Sequence, residues 1–129
     1  MEINEITEKV IGAMFKVSNS LGSGFLEKVY ENAAAIEVGK AGLKVVQQYP
    51  IEVRYDGVVV GNFFADLLVE DRVLVELKTV QRLADIHKAQ CLNYLRATDL
   101  PICLLINFYR PKVEIQRIIP YSSWQERKN

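Results

Sequence analysis

The sequence predicts an α/β sandwich in which a mixed sheet is flanked by helices, in the order ααβββαββ. Three observations predict it. Apolar residues recur at helical spacing up to residue 40, the pattern then changes to strand-like alternation broken by a hairpin signal, and a third helical stretch leads into an unbroken apolar run.

In the first helix Ile6, Val10, Ala13, Met14, Val17 and Leu21 form the stripe, with Asn4 as the expected N-cap and Gly22 placed to end it. A second helix is expected from Phe25 to Lys40, where Leu26, Val29, Tyr30, Ala33 and Ile36 make the apolar stripe and Gly42 follows. The short connection makes the two a helical hairpin. Val45, Tyr49, Ile51, Val53 and Tyr55 then alternate, and Asp56-Gly57 before Val58-Val59-Val60 marks a β-hairpin turn. Pro50 has no ladder N–H, so this first strand belongs at a sheet edge or bulges there.

The second strand runs from Val58 to Val69, breaks at Glu70-Asp71-Arg72, and is followed by a third from Val73 to Val80. Both faces of these two strands read as apolar, as a central position under helices requires. A third helix spans Leu83 to Ala97. Leu100-Pro101 leads into Ile102–Phe108, a buried strand reached by a helical crossover and therefore parallel to the strand before it. Arg110-Pro111 turns the chain into a last strand, Val113 to Ile118, and the polar tail from Ser122 to Asn129 is expected to fray.

At 129 residues, half of them hydrophobic and a quarter charged, the chain is expected to fold as one domain over residues 1–129 and is not of disordered composition. No apolar run approaches the roughly 18 residues of a membrane span. The acidic start, Met1-Glu2-Ile3-Asn4-Glu5, lacks the basic and apolar regions of a secretion signal, so a cytoplasmic location is expected. Cys91 and Cys103 lie in apolar surroundings without C-x-x-C spacing and read as reduced core thiols. Sixteen basic residues balance sixteen acidic ones, so counterion release contributes little and any nucleic-acid contact is expected to be local and weak. Lys88, Arg96, Arg110 and Lys112 read as solvated surface charge, or as contributors to a groove that a homodimer would complete.

Three charges stand where a core is expected: Asp66 in Phe63–Val69, and Glu76 with Lys78 in Val73–Thr79. Ionised groups in such runs are costly unless paired or metal-bound. If Glu70-Asp71-Arg72 is a hairpin loop, Val69 faces Val73, and three steps outward Asp66 faces Glu76. Directly opposed like charges destabilise a sheet, so something positive must sit between them. Glu76 and Lys78 are two residues apart on one strand and point to one face. An Mg²⁺ or Mn²⁺ ion suits the carboxylate oxygens, and a salt bridge from Lys78 is the competing reading. The same stepping through Asp56-Gly57 sets Gln47 opposite Asp66, as a hydrogen-bond partner or an ordinary edge-strand glutamine.

Two helices carry further polar groups. In Gly24-x-x-Glu27-x-x-Tyr30, Glu27 can sit at N3 behind a glycine cap and favour the positive end of the helix dipole. On the third helix His87, Gln90 and Tyr94 share a face with Leu83 and Ile86, so a polar line faces either a cleft or satisfied structural partners.

Asp66 followed by Glu76-Leu77-Lys78 on adjacent strands resembles the PD-(D/E)XK phosphodiesterase superfamily, and Gln90-x-x-x-Tyr94 resembles the helix motif of its RecB-like branch. Gly24-Phe25-Leu26-Glu27-Lys28-Val29-Tyr30 resembles the signature of the small GxxExxY proteins, and Leu104-Leu105-Ile106-Asn107-Phe108 resembles that group's late strand. Two positions depart from the pattern: Ala65 stands where a proline often precedes the aspartate, and Tyr109 stands in place of an expected glycine. The resemblance implies a restriction-endonuclease-like fold and metal-dependent hydrolysis of DNA or RNA phosphodiesters. It also implies that Asp66, Glu76 and the Leu77 carbonyl hold Mg²⁺, with Glu27 as a further or water-mediated ligand. Lys78 would then orient or deprotonate the attacking water, and Gln90 and Tyr94 would position the phosphate or the lysine. A catalytically silent module that keeps the fold and binds a partner or a nucleotide is the alternative.

Overall fold

The computed structural model describes residues 1–121, so the tail from Ser122 to Asn129 lies outside the described residues. The elements are α1 (Ile3–Leu21), α2 (Glu27–Lys40), β1 (Val45–Tyr55), β2 (Val58–Val69), β3 (Val73–Lys78), α3 (Asp85–Thr98), β4 (Ile102–Asn107) and β5 (Glu114–Ile118). The strands form one sheet in sequential order. All neighbours are antiparallel except β3 and β4, which run parallel because α3 carries the chain back across the sheet between them. The order ααβββαββ is the one the residue pattern predicts.

Two apolar cores cover the two faces. On one, α1 and α2 lay Ile6, Val10, Met14, Tyr30 and Ala34 against Leu67, Val69, Val75, Leu104 and Ile106. On the other, α3 lays Cys91, Tyr94 and Leu95 against Ile51, Leu68, Leu74 and Leu105. β3 and β4 are therefore central and buried on both sides. β2 is central only in its inner half: beyond Ala65 the residues Val58, Val59, Val60, Phe63 and Phe64 are exposed, contrary to the sequence reading of two apolar faces. The cause is the pairing. β2 meets β3 only at Leu67–Val69 but follows β1 along its length, so the outer part of the β1–β2 hairpin is an arm that leaves β3 behind.

Element ends differ from expectation where a specific bond intervenes. α1 begins before Asn4, with Glu2 at the N-cap, and the Asn4 Oδ1 instead accepts from the Arg117 guanidinium at 3.0 Å, tying α1 to β5. α2 begins at Glu27 behind Leu26, which makes Glu27 the first helical residue and not N3 behind a glycine cap. Its buried face is Tyr30, Glu31, Ala34 and Val38, while Leu26, Val29 and Ile36 are exposed. Tyr30 accounts for that rotation: its hydroxyl donates to the Gly22 carbonyl at 2.7 Å and accepts from the Phe25 N–H at 3.3 Å, and its ring stacks on Phe108 with centroids 4.5 Å apart. Tyr30→Phe keeps the stack and removes both hydrogen bonds of a fully buried hydroxyl. The expected cost is about 1–2 kcal/mol, read as a lowered chemical-denaturation midpoint with unchanged m-value.

β3 ends at Lys78 and not Val80, because the buried Asn107 takes over the chain there. Its Nδ2 donates to the Val80 carbonyl at 2.7 Å and its Oδ1 accepts the N–H groups of Val80 and Tyr109 at 3.0 and 3.2 Å. β1 is an edge strand, as Pro50 requires. Cys91 and Cys103 are free and buried. No helix among the described residues is long and apolar enough to cross a membrane.

Candidate active site

The split between β2 and β3 begins at Asp66 and Glu76. Up to Leu67↔Val75 the strands pair in the register that the three-residue hairpin loop dictates, and the next step sets Asp66 beside Glu76. There the side chains stand in for the ladder. The Asp66 N–H donates to Glu76 Oε1 at 2.9 Å, and the Leu77 N–H donates to Asp66 Oδ2 at 2.8 Å. One oxygen of each acid is thereby fixed on the other strand's backbone. Among the described residues, the remaining contact to Asp66 Oδ1 is a long one, 3.4 Å from the Gln48 amide.

A bulge decides which glutamine meets the aspartate. The β1–β2 register shifts by one place between Val53 and Arg54, so Gln47 lies opposite Leu67, and Gln48 is the residue that reaches Asp66. This corrects the unshifted stepping that chose Gln47. Gln48 has a left-handed φ of 53°, so neighbouring side chains that would alternate in a regular strand both turn towards α2. Gln47 and Gln48 each donate to Glu31 at 2.7 Å, which also pairs with Lys28 at 3.0 Å. Glu31 is 3% exposed and belongs to the buried face of α2, yet no motif pointed to it. Its spacing to Ala34 and Val38 was the available signal. For the bulge the signal was Gly61, a glycine inside a strand, which pairs with Val53 at the shift.

Among the described residues no cationic side chain forms an ion pair with either acid. Burial, and then the neighbouring Asp66, push Glu76 up to about 8, and burial raises Asp66 too, with Glu31 adding to it and the Leu77 N–H opposing. Lys78 lowers both, but only through its field: the ion pairs among the described residues are Lys28–Glu31, Lys40–Glu37, Lys44–Asp71 and Arg54–Glu52. The competing salt-bridge reading is thus not what the geometry shows. Nor does a third acid close a cage. Among the described residues no three His, Cys, Asp or Glu side chains lie close enough to hold a metal ion, and Glu27 is exposed at the start of α2, sensed by Glu76 only through its charge. Two carboxylates, each with one oxygen already oriented, fit a small hard cation that keeps most of its waters, as Mg²⁺ does.

α3 closes the other side. The Gln90 amide donates to the Tyr94 hydroxyl at 3.1 Å, leaving the phenolic proton to donate elsewhere. Burial and the negative field of Glu76 push Tyr94 up to about 12, so it stays protonated. His87 does not join this group: its Nδ1 accepts the Ala84 N–H at 2.9 Å and satisfies the start of α3. His87→Ala is expected to cost about 1 kcal/mol of stability, measured by thermal melting, with no more change in activity than that loss explains. The geometry thus brings together Asp66, Glu76 and the Leu77 backbone, with Lys78, Gln90 and Tyr94 around them, adds Gln48 and Glu31, and leaves Glu27 at the rim.

Searches of curated proteins and of solved structures each found no significant match. The sequence profile of one family matches residues 4–118, which takes in every element from α1 to β5 together with the split sheet and both acids. On that match and this fold, the chain belongs to the PD-(D/E)XK nuclease superfamily.

Proposed function

We propose that the chain is a divalent-cation-dependent phosphodiesterase acting on DNA or RNA. The observation that carries the reading is the acid pair itself: two carboxylates placed side by side by the divergence of two strands, with no ion pair to either among the described residues. Asp66, Glu76 and the Leu77 carbonyl would hold the cation, Mg²⁺ or Mn²⁺, with Glu27 as a further or water-mediated ligand. Such a cation, when bound, stabilises charge developing on phosphoryl oxygens and makes a coordinated water more acidic.

The remaining steps belong to side chains. Lys78, two residues beyond Glu76 on the same face of β3, orients the attacking water through its ammonium, and the water's proton leaves to solvent. Tyr94, kept protonated and held by Gln90, donates to a phosphate oxygen and fixes the scissile group against the acids. Gln48 and Glu31 hold Asp66 at its angle.

The test is cleavage of labelled single- and double-stranded DNA and RNA in Mg²⁺, in Mn²⁺ and in chelator, with Asp66→Asn, Glu76→Gln and Lys78→Ala alongside the wild type. Cleavage that needs the cation and all three side chains is expected. Equal cleavage by the wild type and the variants, or none by any of them, overturns the reading and leaves a nuclease-fold binding module.

A further inference from the structure

The arm of the β1–β2 hairpin and α3 enclose an open groove of about 1120 Å³. Tyr49, Arg54 and Phe63 line it from the strands, and Asn93, Tyr94 and Arg96 from the helix. It is continuous with the candidate active site, because Tyr94 belongs to both: the ring lies 6.0 Å from that of Phe63, and the hydroxyl senses Glu76 and Asp66. The helical wall runs from Ile86 to Thr98, about 18 Å at 1.5 Å per residue, which is room for about five nucleotides at a stacked spacing of about 3.4 Å.

We propose that this groove receives a single strand of nucleic acid, with a base stacked on the exposed ring of Phe63 above the buried Tyr94, and leads it to the acid pair. The inference rests on the nuclease reading for its direction, but not for its binding chemistry. Duplex recognition relies on many phosphate contacts, and the walls supply two guanidiniums, of which Arg54 already holds Glu52 at 2.7 Å and the Gly57 carbonyl at 3.1 Å. The chain as a whole has zero net charge. What the groove offers instead is ring surface. Phe63 is 46% exposed on an arm that no third strand covers among the described residues, and a base has a π-face whatever its sequence. The Asn93 amide and the guanidiniums of Arg54 and Arg96 line the same groove.

The experiment is fluorescence anisotropy of the full chain in chelator, so that nothing is cut, with labelled ten-nucleotide oligo-dT, oligo-U and a ten-base-pair duplex. Both single strands are expected to bind at least tenfold tighter than the duplex, and the ratio of oligo-dT to oligo-U shows which sugar is preferred. Phe63→Ala is expected to weaken single-strand binding at least fivefold, the low end of a stacking contribution, and Phe63→Trp to preserve it. With at most two phosphate contacts from the groove walls, affinity should fall no more than about sevenfold between 50 and 200 mM salt. A duplex bound as tightly as the single strands, Phe63→Ala equal to the wild type, or no binding of any probe overturns the proposal. The two readings fail separately. Single-strand binding without cleavage in Mg²⁺ or Mn²⁺ sinks the enzyme and keeps the groove, whereas cleavage with no loss in Phe63→Ala binding keeps the enzyme and sinks the groove.

Discussion

Asp66→Asn is expected to lower cation-dependent cleavage about a thousandfold or more while leaving the melting temperature within a few degrees of the wild type. The two halves of that expectation have separate causes. The fold uses Asp66 chiefly through the oxygen that accepts the Leu77 N–H at 2.8 Å, the contact from Gln48 to the other oxygen being a long 3.4 Å, and asparagine keeps a carbonyl oxygen in the first place. The proposed chemistry uses its charge: removing it loosens the cation and loses several kcal/mol of transition-state stabilisation, each 1.4 kcal/mol being about tenfold in rate. Calorimetric titration of Mg²⁺ or Mn²⁺ into wild type and Asp66→Asn checks the cause, since the wild-type isotherm should vanish in the variant. An unchanged isotherm, or a variant that cleaves normally, counts against the acid pair as the centre.

The second large effect concerns stability without the cation. Glu76 sits at about 8 in the folded chain against 4.5 when exposed, raised by burial and by Asp66, and opposed by the Asp66 N–H and Lys78. Between these values the folded state holds more protons than the unfolded one, so unfolding free energy falls with rising pH. The stabilising contribution is complete below about pH 4.5 and is lost as pH climbs to about 8, at no more than about 1.4 kcal/mol per pH unit. Melting in chelator should therefore show a transition that drops by several degrees from pH 5.5 to pH 8. Glu76→Gln should flatten that drop, because an amide does not ionise while its oxygen still accepts the Asp66 N–H, and saturating Mg²⁺ should restore wild-type stability at pH 8. A melting temperature that rises over this range, or a variant that follows the wild type in parallel, would contradict the assignment.

The fold was legible wherever local chemistry and the global arrangement agree. Asp56-Gly57 and Glu70-Asp71-Arg72 set both hairpins, the unbroken Ile102–Asn107 run announced a buried parallel strand, and Pro50 marked the edge. The opposition of Asp66 and Glu76 followed from the second hairpin because only three paired positions, with no bulge, separate it from the acids. Across the first hairpin the same reasoning failed by one residue, since the single shift near Gly61 carries Gln48 to the aspartate in place of Gln47. Hydropathy likewise misjudged α2, where a tyrosine hydroxyl anchored on Gly22 sets the rotation and exposes Leu26 and Ile36. Glu31 escaped notice because its partners come from a strand whose kink no residue type announces.

The acids that close the gap between β2 and β3 serve as rungs of the sheet as well as candidate ligands. A descendant of this fold that had abandoned chemistry would still need them to keep its strands joined. Lys78 carries no such duty through its side chain, which bonds nothing in the fold among the described residues. Its ammonium, and not the acid pair, is the mark that would separate a working copy from a retired one.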